Sequence, residues 1–121
     1  MPPQILVCDD DIGIRDIVKI ALQRRGFEVV EASNGLEAVK ACRAGPAACI
    51  IMDIDMPVMN GIEATRIILK EKPDTVIIGL TAYRQLGKEL LSAGARYVIE
   101  KPFSVRNLIS IVEKYANLKN A

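Results

Sequence analysis

The sequence predicts an α/β domain in which a parallel sheet is covered by helices on both faces. Three observations carry this: five short apolar runs rich in Ile and Val, a helical pattern after each run, and central runs that are apolar throughout. A strand with one wet face alternates apolar and polar residues, whereas a strand covered on both faces does not. Five strand–helix units joined by right-handed crossovers give one sheet with helices on each side. At 121 residues, the chain reads as a single domain over 1–121 that buries roughly two-thirds of its unfolded surface. No linker, low-complexity tract or further repeat interrupts the pattern.

The first strand is read from Gln4 to Cys8. Between Gly13 and Arg25, Ile14, Ile17, Val18, Ala21 and Leu22 fall on one face of a helix that Gly26 ends. A second strand runs from Phe27 to Ala32. Ser33 or Asn34 caps the next helix, which carries Leu36, Val39 and Cys42 and stops at Gly45-Pro46. The third strand spans Ala48 to Met52, and Asn60-Gly61 opens a helix that reaches Lys72, before Pro73. Thr75 to Leu80 form the fourth strand, followed by a helix from Arg84 to Ala93 that Gly87 weakens. Tyr97 to Glu100 form the last strand. The final helix begins at Ser104 and turns Val105, Leu108, Ile109, Val112 and Tyr115 inward.

Composition narrows the function. The net charge is +1 and no basic run stands out, so direct nucleic acid binding has no electrostatic footing. No apolar stretch is long enough to cross a membrane, and Met1-Pro2-Pro3-Gln4 lacks the features of a secretory signal, which points to a cytoplasmic chain. Cys8, Cys42 and Cys49 share no spacing motif, and the expectation is buried, reduced thiols. Histidine is absent, which removes Ser-His-Asp chemistry, imidazole ligation and an internal phosphohistidine.

The chemistry sits at strand ends. Asp9-Asp10-Asp11 follow Ile5-Leu6-Val7-Cys8, Asp53 follows Cys49-Ile50-Ile51-Met52, Thr81 closes the fourth run, and Lys101-Pro102 follow the fifth. In a doubly wound sheet the working crevice lies beyond the carboxyl ends of the strands, so these residues converge there. Crowded carboxylates repel one another and raise their pKa values unless a cation is bound, and Mg²⁺ with its oxygen ligands answers that need. Asp53 is then the natural nucleophile for phosphoryl transfer, with Lys101 as cation and Thr81 as hydroxyl donor. The backbone after Asp53 is free to offer an amide or a carbonyl. Asp11 reads as a helix cap, and Pro57 and Gly61 as loop geometry.

These motifs, ILVCDDD, IIMDIDMPVMNGIEA, IIGLTA and EKPF, in this order and spacing, resemble over the whole length the receiver domain of two-component response regulators. The resemblance implies a flavodoxin-like, doubly wound, five-stranded parallel sheet of order 2-1-3-4-5 with five helices. It implies that Asp53 accepts a phosphoryl group from a histidine kinase or histidine phosphotransferase. Asp9, Asp10 and Asp53 would hold Mg²⁺, Asp10 directly and Asp9 through water, with the backbone carbonyl of Asp55 as a further ligand. Thr81 and Lys101 would contact the phosphoryl oxygens, and the Lys101-Pro102 peptide would be cis, aiming the lysine over the site. Phosphorylation would switch the surface of the last two helices and the strand between them, read by a downstream effector or a fused output domain. The chain would be a signalling phosphoacceptor, labelled by small donors and self-dephosphorylating, rather than an enzyme. Asp55 and Tyr83 would flank the approach of the hydrolytic water, and Tyr83 is bulky enough to slow decay. One departure is clear: the family's aromatic residue three places before the lysine is Val98 here, and Tyr97, one residue earlier, points to the opposite face.

Two other readings compete. Asp53-Ile54-Asp55 is similar to the DxD of haloacid-dehalogenase-like, Mg²⁺-dependent phosphatases, but those place it near the chain start with the metal carboxylates later. A pseudo-receiver that works without phosphorylation has no need of the acceptor, acidic pair, Thr81 and Lys101, all of which are present. Ile12, Ile14, Pro102 and Phe103 are the expected partner contacts beside the site, Ile14 and Phe103 reading equally well as core. Met1 reads as a natural start, and with no output domain after Ala121 the sequence fits a free-standing shuttle or a part of a longer regulator or hybrid kinase.

Overall fold

A computed structural model describes residues 3–120, with side chains through Ala116. Met1 and Pro2, on which part of the leader argument rests, and Ala121 lie outside the described residues. The elements are β1 (Gln4–Cys8), α1 (Ile12–Gln23), β2 (Glu28–Ala32), α2 (Gly35–Ala44), β3 (Cys49–Asp53), α3 (Gly61–Glu71), β4 (Ile77–Thr81), α4 (Arg84–Ser92), β5 (Tyr97–Glu100) and α5 (Val105–Asn120). All pairings are parallel and the strand order is β2-β1-β3-β4-β5, as the sequence and its resemblance predict. The chain steps outward from β1 to β2, then crosses back over β1 to β3, so the order reverses between β1 and β3. That reversal opens the crevice at the carboxyl edge.

The core has two layers, because successive residues of a strand face opposite ways. Ile50 and Met52 of β3 pack with Ala38, Val39 and Cys42 of α2, Ala64 and Ile68 of α3 and Leu90 of α4. Cys49 and Ile51 pack instead with Val18 and Leu22 of α1 and Leu108, Ile109, Val112 and Ala116 of α5. The continuous apolar run in β3 thus feeds both layers, and all five of its residues are buried. Cys8, Cys42 and Cys49 are buried and form no disulfide.

Helix ends follow local chemistry. The Asp11 side chain accepts from the amides of Gly13 and Ile14, so α1 starts at Ile12, one residue before the sequence reading. Asn34, not Ser33, caps α2 by accepting from Glu37 N, while Glu37 accepts from both the amide and the hydroxyl of Ser33. Gly26, at φ 89°, ends the turn after α1. One inward reading is corrected. Ile17 is 56% exposed, because α1 covers the sheet with a narrower stripe than the spacing allows. β4 begins at Ile77 rather than Thr75 and runs on through Thr81, so the threonine belongs to the strand.

Close packing at Gly61 helps set the carboxyl edge. A Cβ on Gly61 would lie 2.2 Å from the carbonyl oxygen of Asp53, so the start of α3 rests on the backbone of that residue. Gly61→Ala should lower the unfolding free energy by about 1–3 kcal/mol, since backbone on both sides has nowhere to move. Gly45→Ala is the control: a Cβ there meets nothing within 4 Å, so denaturant midpoints should fall for the first variant and hold or rise for the second.

Candidate functional site at the carboxyl edge of the sheet

β1 ends at Cys8 and delivers Asp9 and Asp10; β3 and β4 end on Asp53 and Thr81; Lys101 follows β5. One carboxylate oxygen from each of Asp9, Asp10 and Asp53 lies within 4.8 Å of the others. Asp9 and Asp53 are buried, at 1% and 4% exposure, whereas Asp10 faces solvent. Lys101 Nζ donates to Asp53 Oδ1 at 3.1 Å and to Asp9 Oδ2 at 3.5 Å. The Lys101–Pro102 peptide is cis. Asp9 is held further by the amide of Asp11, which donates to its Oδ1 at 2.9 Å.

One lysine does not balance three carboxylates. Burial pushes the Asp53 carboxyl from an ordinary 3.8 to about 6; the nearby Asp9 and Asp10 add to the rise, and Lys101 opposes it. Burial also works to lower the Lys101 pKa, but Asp53 and Asp9 outweigh it and hold the ammonium above its usual value. The donor set is entirely hard oxygen, compact and open to water on the Asp10 side, which suits Mg²⁺ and its retained waters. Asp9, Asp10 and Asp53 could hold that ion.

Thr81 has a local commitment. Its Oγ1 accepts from the amide of Tyr83 at 3.0 Å and donates to the Tyr83 carbonyl at 3.3 Å, a turn that leads into α4. The cleft has a volume of about 300 Å³ and is lined by the residues above together with Asp11, Asp55 and Tyr83. Tyr83 is 60% exposed at its rim. A larger hollow of about 390 Å³ at the opposite edge, beside Gln4, Val30 and Pro46, gathers no carboxylate or ammonium, so size does not locate the chemistry. After Asp53 the chain turns tightly: Met59 N donates to Pro57 O and Gly61 N to Ile54 O, while Val58 sits at φ 68°, a strained value for a β-branched residue. Asp55 is exposed within this loop.

Of the expected partner contacts, Ile12 is 65% exposed and Pro102 is exposed; Ile14 and Phe103 are partly buried against the core. Val98 packs toward α4, whereas the ring of Tyr97 lies 6.4 Å from that of Tyr115 on α5, so the two do occupy opposite faces. The sequence reading missed Arg15, whose Nη1 donates to the backbone oxygen of Asp9 at 2.8 Å. A signal was available: an arginine one turn into a helix sits where the helix dipole disfavours a cation.

The unbalanced charge has a measurable consequence. A carboxyl whose folded pKa is raised supports the fold fully below its unfolded value near 3.8 and loses that support as pH rises through about 6. Without metal at pH 7.5, Asp53→Asn should therefore stabilise the chain by about 1–2 kcal/mol, less than the full shift because an amide does not reproduce every contact of the protonated carboxyl. The gain should shrink toward zero near pH 4. Urea unfolding of both chains across that range checks it, and added Mg²⁺ should stabilise the natural sequence more than the variant.

Comparison with known proteins places the chain. The family model of the response regulator receiver domain matches residues 5–113. A transcriptional regulatory protein of Staphylococcus aureus, SrrA, is 40% identical over 112 residues, which are 90% of this chain and 46% of that protein. The chain thus spans about half the length of the curated relatives it matches. A CheY-like receiver domain protein from Methanospirillum hungatei superposes with a TM-score of 0.93 at 28% identity, covering 99% of this chain and 98% of the other. The receiver domain of the sensor histidine kinase PA1611 from Pseudomonas aeruginosa, solved with a magnesium ion coordinated in its active site cleft, gives 0.88 at 27% identity, with 97% and 99% coverage. The chain belongs to the response regulator receiver domain family.

Proposed function

We propose that this receiver domain is a Mg²⁺-dependent phosphoacceptor in which Asp53 takes a phosphoryl group from the phosphohistidine of a histidine kinase or histidine phosphotransferase. The observation that carries the reading is the convergence of Asp9, Asp10, Asp53 and Lys101 on one small volume at the carboxyl edge. An Asp53 oxygen attacks phosphorus, an O–P bond forms, the N–P bond breaks and the electron pair returns to the donor imidazole. Asp9, Asp10 and Asp53, with the carbonyl of Asp55, would hold the ion. When bound, it neutralises charge on the carboxylates and on the transferring phosphoryl oxygens. The magnesium in the Pseudomonas receiver's cleft supports this assignment.

Lys101 already reaches Asp53 Oδ1, so its ammonium stands ready for a phosphoryl oxygen on that atom. Thr81 can donate its hydroxyl to a second oxygen only by leaving the carbonyl of Tyr83. Its methyl lies where α4 passes close: a Cβ on Gly87 would be 3.4 Å from Thr81 Cγ2 and 3.0 Å from Val98 Cγ1. Rotation of Thr81 therefore presses on α4 and β5 directly, without an aromatic ring. The α4–β5–α5 surface is what a downstream effector or a fused output domain reads. Residues 1–121 form one such module, cytoplasmic, with no catalytic turnover of an outside substrate.

With Mg²⁺ present, acetyl phosphate alone should add one phosphoryl group, seen as a single mass increment in the intact protein. Asp53→Asn should abolish it, and a variant labelled to the same extent as the natural chain would remove Asp53 as the acceptor.

Asp55 and Tyr83 flank the route of the water that hydrolyses the aspartyl phosphate, consistent with both lining the cleft. Tyr83 narrows the route. Tyr83→Ala should speed loss of label about fivefold, equivalent to about 1 kcal/mol in the barrier. The decay of fully labelled protein at saturating Mg²⁺ measures this, and an unchanged rate would leave Tyr83 without a kinetic part.

A further inference from the structure

We infer that Arg15 is a positioning residue for the metal carboxylates, acting through the peptide that joins Asp9 to Asp10; this rests on the reading of the cleft as a Mg²⁺ site. Arg15 lies one turn into α1 with its side chain only 15% exposed. Its Nη1 donates to the Asp9 carbonyl oxygen at 2.8 Å, and its Nε donates to Glu31 Oε1 on β2 at 3.2 Å. The fork thus ties α1, β2 and the segment just past β1 together at the atom that precedes Asp10.

The two carboxylates depend on this anchor unequally. Asp9 has holds of its own: its amide donates to the carbonyl of Ala32, and its side chain accepts from Asp11 N and Lys101. Among the described residues, no hydrogen bond or ion pair fixes the Asp10 carboxylate. Where it points follows from the Asp9–Asp10 peptide plane, and the charged donor on the oxygen of that plane is Arg15. Simple fastening of α1 to β2 does not need it, because Lys19 Nζ already reaches Glu31 Oε2 at 3.2 Å.

Charge and geometry here predict opposite signs, which makes the inference testable. By Coulomb's law alone, removing a cation near three carboxylates should tighten Mg²⁺ binding. Loss of a group that orients a ligand should weaken it, on the order of tenfold. Calorimetric titration with Mg²⁺ alone, and the Mg²⁺-induced rise in melting temperature, would be compared for the natural chain, Arg15→Met, Arg15→Lys and Lys19→Met. Arg15→Met should bind on the order of tenfold more weakly. Arg15→Lys, which keeps the charge but cannot span both oxygens, should lose severalfold, about half of that on a logarithmic scale. Lys19→Met should bind as tightly as the natural chain or tighter.

A purely structural role would lower the melting temperature in chelator while leaving the Mg²⁺ affinity unchanged, and that result would overturn the inference. So would Arg15→Met binding as tightly as the natural chain, or Lys19→Met losing as much as Arg15→Met. If Arg15→Met does not fold, Arg15→Lys decides on its own, and unchanged affinity sinks the idea. Failure of the natural chain to bind Mg²⁺ is a different outcome, and it overturns the reading of the cleft and this inference together.

Discussion

Electrostatic crowding at the end of β1 and β3 is the constraint from which the rest of this molecule follows. Strand pairing in register sets Cys8 beside Met52, so the residues after them, Asp9 and Asp53, are forced to be neighbours. Neither can withdraw into water, because α3 closes on the Asp53 backbone at Gly61 and Asp9 is pinned by the amide of Asp11. A fold that only needed stability would place apolar or neutral residues there, since buried charge without full compensation is costly. Lys101 supplies one positive charge to Asp9 and Asp53 together, and Asp53 still titrates near 6. Such a deficit is one that a divalent cation would offset, and it is the physical ground for the proposed Mg²⁺-dependent phosphoacceptor.

Little free space surrounds Thr81. Gly79 lets Leu90 approach so closely that a Cβ there would meet it at 2.1 Å, and Gly87 faces Val98 and Thr81 more loosely, at 3.0 and 3.4 Å from where its Cβ would be. Helix α4 is therefore drawn onto β4 and β5 by two small residues, at the expense of the helix propensity that Gly87 forgoes. Packed interiors do not deform continuously, so in the proposed switch a reoriented threonine hydroxyl would move α4 as a body. Tyr97, turned toward Tyr115 on the α5 side, takes no part in that contact. The pair on β5 thus faces opposite ways, Val98 toward α4 and Tyr97 toward α5.

How much of this could be read before any coordinates depended on the kind of signal. Strand and helix identities came through because period and punctuation agree in this chain: apolar runs end on Asp, Thr or Glu, and Gly, Asn or Pro bound the helices. The residues of the site were legible because polar side chains at the ends of apolar strands conflict with burial. Ile17 was misplaced for the converse reason: a helix offers more apolar positions than a sheet can cover, and spacing alone does not say which stay wet. Asn34 rather than Ser33 as the cap of α2 was a choice between two competent residues, settled by where the Glu37 carboxylate turns. Strand order was beyond periodicity and rested on the resemblance.

Arg15 shows where reading by residue type runs out. An arginine on a helix is ordinarily a solvated surface charge; its place one turn into α1, against the helix dipole, marks it as unusual but does not say what it holds. Its meaning lies in a backbone oxygen, which a sequence does not display. The carbonyl of Asp9 points away from the cleft toward the start of α1, and a neutral donor there would leave the peptide between two metal carboxylates loosely oriented. Glu31 offsets the extra charge on the far side, shared with Lys19, and both cations hold its carboxyl below its ordinary value. The backbone behind the acidic cleft is thereby braced by a charge-compensated group, Arg15 and Lys19 on Glu31, which is the basis for assigning the orientation of Asp10 to the peptide before it rather than to bonds of its own.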